Sequence, residues 1–228
     1  MRYLGVACGS NETNLIPVLR KLVTDHDINY VELYLRSDCT LNQLITWKDS
    51  ELEFTLHAHH DEHGNTSVYS LREANQASII LEGKRIIYDA GVDRALEVND
   101  FYEENMPAFT SLGERGNKAL SGESGQNICL DFAHAYMTAQ VLGINYHDVW
   151  NGFLDLKPKH FHVSQISSVE VDDHCALNCE VGLIPLGEVT DLLPDDAWVT
   201  VEPEHEISDR IDRLKSDVIF FRNLWKGL

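Results

Sequence analysis

Acidic and imidazole side chains recur at the ends of short apolar runs in this chain. The runs are FYEEN, NICLDFAH, KHFHVSQ and WVTVE, and each has a β-branched or aromatic centre. Parallel strands of a barrel bring their carboxyl ends to one rim, where carboxylates and imidazoles together bind divalent metals. The pattern therefore predicts a metalloenzyme whose candidate site residues are Glu104, Asp131, His134, His162, Asp172, His174 and Glu202.

The strand-like runs are numerous enough to close a barrel. Several are continuously apolar, as expected for parallel strands that are covered on both faces. They lie near residues 3–8, 30–35, 53–58, 86–90, 98–103, 127–131, 159–163 and 198–202. Helical patterns alternate with them, which predicts an α/β fold: a single, compact (β/α)8 TIM barrel domain over residues 1–228.

Boundary signals accompany the helical patterns. Ser10 or Asn11 is expected to cap the first helix, and Ser70 with Glu73 predicts a capping box that opens a helix to about Leu81. The helical patterns cover residues 15–22, 70–81, 133–141, 146–154 and 207–224.

One connection is too short for a full crossover helix. From Ala90 to Val98 there is room for about two helical turns, whereas a parallel crossover needs a dozen or more residues. We expect the fourth helix to be reduced or missing. The wall outside strands four and five would then be thinly covered, so we expect a partner subunit, in a homo-oligomer, to cover it.

Composition limits the classes of partner. The formal charge of −19 argues against a broad basic face for nucleic acid, although a metal site can still neutralise phosphate locally. No apolar run approaches the length of about 18 residues that spans a bilayer, so no membrane partner is expected. The polar N-terminus and an odd number of cysteines, five, indicate a cytoplasmic protein.

Five short motifs, in a fixed order, resemble the xylose isomerase-like TIM barrels. They are ENMP at 104–107, LDFAHA at 130–135, HVS at 162–164, DDH at 172–174 and VTVEPE at 199–204. That superfamily includes sugar and sugar-phosphate isomerases and epimerases, inosose dehydratase, and endonuclease IV of AP endonuclease family 2. The resemblance covers most of the chain.

The resemblance implies a metal site common to the epimerases and to endonuclease IV. Its four ligands would be Glu104, Asp131, His162 and Glu202, and Glu104 and Glu202 would also be the catalytic acid and base. Oxygen and nitrogen ligands in this ratio suit Mn, Zn, Mg, Co or Fe. One divalent metal is expected.

Two further metals are implied by the likeness to endonuclease IV. His134, Asp172 and His174 resemble the ligands of one, although His134 could instead bind substrate and DDH could be a solvated turn. His57 matches the first histidine of the other. Asp89 stands where the family usually has the second histidine, and it could bind a hard cation or simply cap a turn. The sequence therefore allows between one and three divalent metals in the site.

Two enzyme classes and one other interpretation follow from the sequence. The first is a sugar or sugar-phosphate isomerase or epimerase, in which a metal polarises the carbonyl of a small sugar-like substrate and the two glutamates move the proton. The alternative is an endonuclease IV-like phosphodiesterase on abasic DNA. The third is a barrel that is non-catalytic or differently specialised.

Two positions are predicted beside the site. Glu32 should point inward by the parity of its strand, either toward the site or as a structural hydrogen-bond partner. The segment from Asn105 to Gln126 is rich in glycine and serine and could act as a lid.

Overall fold

Eight parallel strands close into a barrel in which every strand pairs with its neighbours in chain order. The computed structural model describes residues 2–25, 27–59, 67–89, 101–105, 127–170, 173–202 and 210–226. The strands are β1 Tyr3–Gly9, β2 Tyr30–Tyr34, β3 Phe54–His57, β4 Ile86–Asp89, β5 Phe101–Glu104, β6 Asn127–Asp131, β7 His160–Val163 and β8 Trp198–Val201. The expected TIM barrel is confirmed.

Seven α-helices surround the barrel in the part of the chain that is described. They are α1 Ile16–Thr24, α2 Leu41–Lys48, α3 Val68–Leu81, α4 Phe132–Leu142, α5 Tyr146–Leu154, α6 Leu186–Leu192 and α7 Arg210–Lys226. The short helices α2 and α6 had no counterpart among the sequence predictions. None of the described helices has both the length and the apolar composition needed to cross a bilayer.

Two predicted helix starts were wrong in detail. The side chain of Ser67, not Ser70, caps α3, and it accepts a hydrogen bond from the backbone N–H of Ser70. Neither Ser10 nor Asn11 caps α1, because a 3-10 turn over Thr13–Leu15 leads directly into that helix. In both places several polar residues compete for the cap, and the path of the preceding chain decides among them.

The fourth crossover agrees with a shortened connection. Strand β4 ends at Asp89, and the described part of β5, Phe101–Glu104, overlaps the strand predicted over 98–103. The stub helix itself, and the segment after Asn105 that was expected to form a lid, lie outside the described residues.

The space between the strands and the helices forms the main apolar core. Its members come from both layers; Leu4, Val6, Leu56, Phe161 and Val199 are strand residues in it. Trp47 and Trp150 are fully buried in the same core, and their indole N–H groups donate to the backbone oxygens of Ser10 and Phe132. This core packs the helices against the outer face of the strands. The side chains inside the barrel form a separate set.

The side chains inside the barrel form layers along its axis, from the amino-terminal to the carboxyl-terminal ends of the strands. At the amino-terminal end, the guanidinium of Arg85 lies 4.6 Å from the ring centre of Tyr102 and 4.4 Å from that of Trp198. A small apolar group of Ile87, Tyr102 and Cys129 fills part of the middle. At the carboxyl-terminal rim the interior becomes acidic and imidazole-rich, as the sequence predicts.

Candidate metal centre

Strand register sets the candidate site, because inward residues of neighbouring strands stand at one height. Asp89 of β4 is paired with Glu104 of β5, and Asp131 of β6 is paired with His162 of β7. Glu202 follows β8 directly, and His57 ends β3. Residues far apart in the chain therefore meet at the rim where TIM barrels carry their sites.

Glu104, Asp131, His162 and Glu202 form a central group. One ligand atom from each lies within 4.8 Å of those of the other three. His162 Nδ1 is 3.1 Å from Glu104 Oε2 and 3.2 Å from Glu202 Oε2. All four residues are buried. The structure thus brings together the four residues that sequence reasoning grouped.

A second set of donors, the His57 group, comprises His57, Asp89 and Glu104. Their ligand atoms also lie within 4.8 Å of one another. His57 Nε2 is 2.8 Å from Glu104 Oε2 and 3.8 Å from Asp89 Oδ1. Asp89 is buried, with 2% of its surface exposed, so it occupies the site rather than a surface turn.

A third set, the His134 group, comprises Asp131, His134 and His174. The rings of His134 and His174 are 5.8 Å apart. An isolated bridge between Gln165 and Cys175 holds the loop that carries His174 near the end of β7. His174 has a left-handed backbone with φ of 36°, a strained conformation that is found disproportionately at functional sites. Asp172, the remaining predicted member, lies outside the described residues.

Three site histidines share one arrangement. In each, one ring nitrogen contacts an oxygen outside the donor groups: Nδ1 of His57 lies 3.0 Å from the oxygen of Ala58, and Nδ1 of His134 lies 2.8 Å from that of Asn105. The Nε2 of His162 lies 2.8 Å from Oε1 of Glu32, a residue outside the three groups above, although Glu32, His57 and His162 also bring ligand atoms within 4.8 Å of one another. Metal-binding histidines are commonly held in this way, because the outer contact fixes the ring and its tautomer.

Neighbouring charges and burial shift the pKa values of the residues in these groups. Burial opposes the ionisation of Glu104, but its histidine neighbours outweigh burial and hold its pKa well below the ordinary value. Burial also disfavours a charged His57, yet Glu104 and Asp89 raise its pKa to about 9. Asp131 behaves differently, because burial dominates and raises its pKa to about 6. Neighbouring buried groups whose pKa values shift in opposite directions are typical of functional sites.

The residues fit a divalent cation on two observations. First, Asp131 Oδ2 is buried and makes no hydrogen bond to any described residue, although a buried carboxylate oxygen normally has a partner. Second, four carboxylates of the three groups lie close together, and their mutual repulsion needs positive charge. Nitrogen and oxygen donors in these proportions suit Zn, Mn, Co or Fe, and Mg where oxygen predominates.

Sequence reasoning missed Asn105 as a functional residue. Its side-chain oxygen accepts a hydrogen bond from the backbone N–H of Asp131 at 2.7 Å, and its amide donates to the oxygen of Asp131 at 2.9 Å. Its own backbone oxygen contacts His134. The position directly after Glu104 was a usable signal, because a polar residue there extends the rim of the barrel.

Tyr34 was also missed. Its ring stacks on that of His57, with centroids 4.6 Å apart. Burial and the nearby carboxylates of Asp89, Glu104 and Glu202 raise its pKa above the ordinary value, so it remains a neutral phenol. The parity that pointed to Glu32 also applied to Tyr34, two residues further along the same strand.

Comparison with known proteins gives structural likeness without sequence likeness. No family model and no curated protein matches the chain. Endonuclease IV from Thermus thermophilus superposes with a TM-score of 0.65 at 14% identity, covering 99% of this chain and 100% of that one. A proposed xylose isomerase from Rhodospirillum rubrum superposes with a TM-score of 0.66 at 13% identity, covering 100% and 99%.

These two structures establish the fold. Both superpose over nearly the whole chain, which confirms the TIM-barrel fold. At such low identity a shared fold does not carry over a reaction. Function therefore depends on what the donor groups of this chain can do.

Proposed function

We propose that this protein is a metal-dependent TIM-barrel enzyme that binds more than one divalent cation and hydrolyses a phosphate ester. The observation that carries the proposal is the sharing of carboxylates between donor groups. Glu104 belongs to both the central group and the His57 group, and Asp131 belongs to both the central group and the His134 group. Shared carboxylates at neighbouring positions are typical of bridged, multinuclear centres.

The surroundings of Glu104 support a bridging role. Its Oε1 lies 3.3 Å from His134 Nδ1, while its Oε2 lies 2.8 Å from His57 and 3.1 Å from His162. Oε2 therefore faces imidazoles of two different donor groups, while Oε1 approaches the His134 nitrogen that also contacts Asn105. A carboxylate in this position can join two cations.

Multinuclear sites supply phosphoryl-transfer chemistry, since two bound cations neutralise the transferring group and lower the pKa of water. The protein groups would have a separate part in such a reaction. Water oxygen would bond to phosphorus as a carboxylate takes one proton of that water; the bond from phosphorus to the leaving oxygen would break, and that oxygen would keep the electron pair and take a proton from solvent. Glu202 is the better candidate for this proton, because it is more exposed than Glu104, at 8% against 2%.

The acidic surface bears on the class of phosphate ester. A net charge of −19 disfavours a long nucleic acid, because tracking its backbone requires many lysine and arginine contacts. A small phosphate ester makes no such demand, since the metal centre alone can neutralise it. We therefore favour a small phosphoester over abasic DNA.

A sugar or sugar-phosphate isomerase or epimerase is the second candidate, and sequence reasoning ranked it first. Its supporting observation is that Glu104 and Glu202 both approach His162 Nδ1, at 3.1 and 3.2 Å. Two glutamates around one cation could exchange a proton with a bound sugar. In this case His57 and His134 would bind substrate hydroxyls.

Metal stoichiometry separates the two candidates. Protein purified without chelator should contain two or three divalent cations per chain by elemental analysis, and with Mn or Zn it should hydrolyse a small chromogenic phosphodiester. One cation per chain, together with turnover only of a sugar or sugar phosphate, would establish the isomerase instead. Rapid incision of an abasic-site oligonucleotide would replace the small substrate with DNA.

Glu104→Gln is the matching variant. It should abolish turnover and lower the metal content, because it removes a donor charge from two groups at once. Glu188→Gln is the control, since Glu188 lies on α6 and pairs with the exposed His147. Unchanged turnover in Glu104→Gln would remove this residue from the mechanism.

A further inference from the structure

A carboxylate is buried inside the barrel near the candidate metal centre. Glu32 lies on β2 and has no exposed surface. Its Oε2 accepts hydrogen bonds from Thr55 Oγ1 at 3.1 Å and from Thr200 Oγ1 at 2.8 Å, and it contacts His160 Nε2 at 2.9 Å. These contacts fix the carboxylate and leave it as an acceptor only, so its second oxygen has a defined position.

That second oxygen faces His162. Glu32 Oε1 lies 2.8 Å from His162 Nε2, a close electrostatic contact that is not aligned as a hydrogen bond. The opposite ring nitrogen, Nδ1, faces Glu104 and Glu202. One imidazole thus connects a buried carboxylate on one side with the central group on the other.

We propose that Glu32 is a positioning residue that holds His162 with its proton on Nε2 and its Nδ1 lone pair directed at the metal centre. A lone pair on Nε2 would repel Glu32 Oε1 at this distance, so the proton stays there. Nδ1 faces the carboxylates of Glu104 and Glu202, so either a second proton or a cation must lie between them, and a bound cation would take the place of that proton. Such carboxylate–histidine pairs strengthen the ligand and fix its orientation.

The inference rests on the metal site of the proposed function, but not on the reaction. It also distinguishes Glu32 from a purely structural carboxylate. A structural role requires only the hydroxyls and His160, which bind Oε2. The positioning role depends on Oε1 and on the tautomer of His162.

The test is Glu32→Gln, read by calorimetric titration of the metal-free protein with Mn²⁺ and with Zn²⁺. The expected result is a loss of affinity of about 10- to 100-fold with an unchanged number of cations at saturation. Affinity within about twofold of the wild type would overturn the proposal. The loss of one whole cation at saturation would overturn it too, because Glu32 would then be a ligand itself.

Thr55→Val is the matched control. It removes a hydrogen bond to Oε2 and leaves the contact of Oε1 with His162 in place. We expect it to lower the stability of the fold while the affinity for Mn²⁺ stays unchanged. A loss of affinity equal to that of Glu32→Gln would assign the effect to the network as a whole and overturn the specific role of Oε1.

A measurement on the unmodified protein covers the case in which Glu32→Gln does not fold. Nitrogen-15 NMR of the histidine rings in the Zn²⁺-loaded protein should show His162 with its proton on Nε2, and a proton on Nδ1 would overturn the proposal. If the wild type binds no divalent cation, the proposed function fails. If it binds cations but His162 carries the other tautomer, only this inference fails.

Discussion

Asp131 accepts a hydrogen bond from the backbone N–H of His134 through Oδ1, at 2.7 Å, while its Oδ2 makes none to a described residue. One carboxylate oxygen therefore caps helix α4, and the other faces the central group. The same side chain starts a helix and supplies a candidate ligand. This geometry also places His134 on the first turn of α4, facing the site.

The two roles of Asp131 can be separated by mutation. Asp131→Asn should keep the helix cap, because asparagine caps helices as well as aspartate does. It should lose metal, because the amide is a weak ligand without charge. Asp131→Ala should lose both, at a cost of about 1 kcal/mol for the cap. Urea unfolding of the metal-free proteins and elemental analysis check the two effects; equal stability of the two variants would contradict the capping role.

Asp89 provides a test of the His57 group. Asp89→Asn should reduce the metal content by one cation per chain, because it removes a donor charge beside His57 and Glu104. Asp89→His should retain that cation, since an imidazole replaces the carboxylate as a ligand. Asp196→Asn, in an exposed pair with Lys159, is the control and should change nothing. An unchanged metal content in Asp89→Asn would show that Asp89 is not a ligand.

A glycine in the barrel wall limits what the interior can hold. A Cβ on Gly5 would overlap the ring of Tyr30, whose hydroxyl forms a hydrogen bond with that of Thr200 in the same interior. Gly5→Ala should destabilise the protein by about 1–3 kcal/mol, the usual effect of overpacking. Gly152→Ala, on the exposed side of α5 with open space around it, should instead stabilise by about 0.5–1 kcal/mol. Urea unfolding measures both, and similar shifts would contradict this account.

Metal removal should lower thermal stability. A cation that binds only the folded chain adds about 2.7 kcal/mol at one hundred times its dissociation constant. For a chain of this length that corresponds to a rise in melting temperature of about 5–10 °C per cation. Calorimetry of chelator-treated protein, with and without added Mn²⁺ or Zn²⁺, measures the shift. No shift with either ion would indicate that the donor groups bind neither of them.

Much of the fold could be predicted because the barrel repeats a local pattern. Apolar runs of four to seven residues mark the strands, and the period of the apolar residues distinguishes them from helices. The caps of α1 and α3 were less well predicted, since both depend on the path of the preceding chain. Helices α2 and α6 went unrecognised because both are short; α6 has no side-chain cap among the described residues, whereas the capping box of Thr40 and Gln43 was a usable signal for α2.

The sequence by itself determined which chemistry the rim could hold, because residue type and strand order place carboxylates and imidazoles at one end of a parallel barrel. Only the tertiary structure decided how those groups combine. Barrel closure sets Glu32 of β2 against His162 of β7, and strand register places Asp89 beside Glu104. These relationships depend on distances of a few ångströms between strands remote in the chain, which no local pattern encodes.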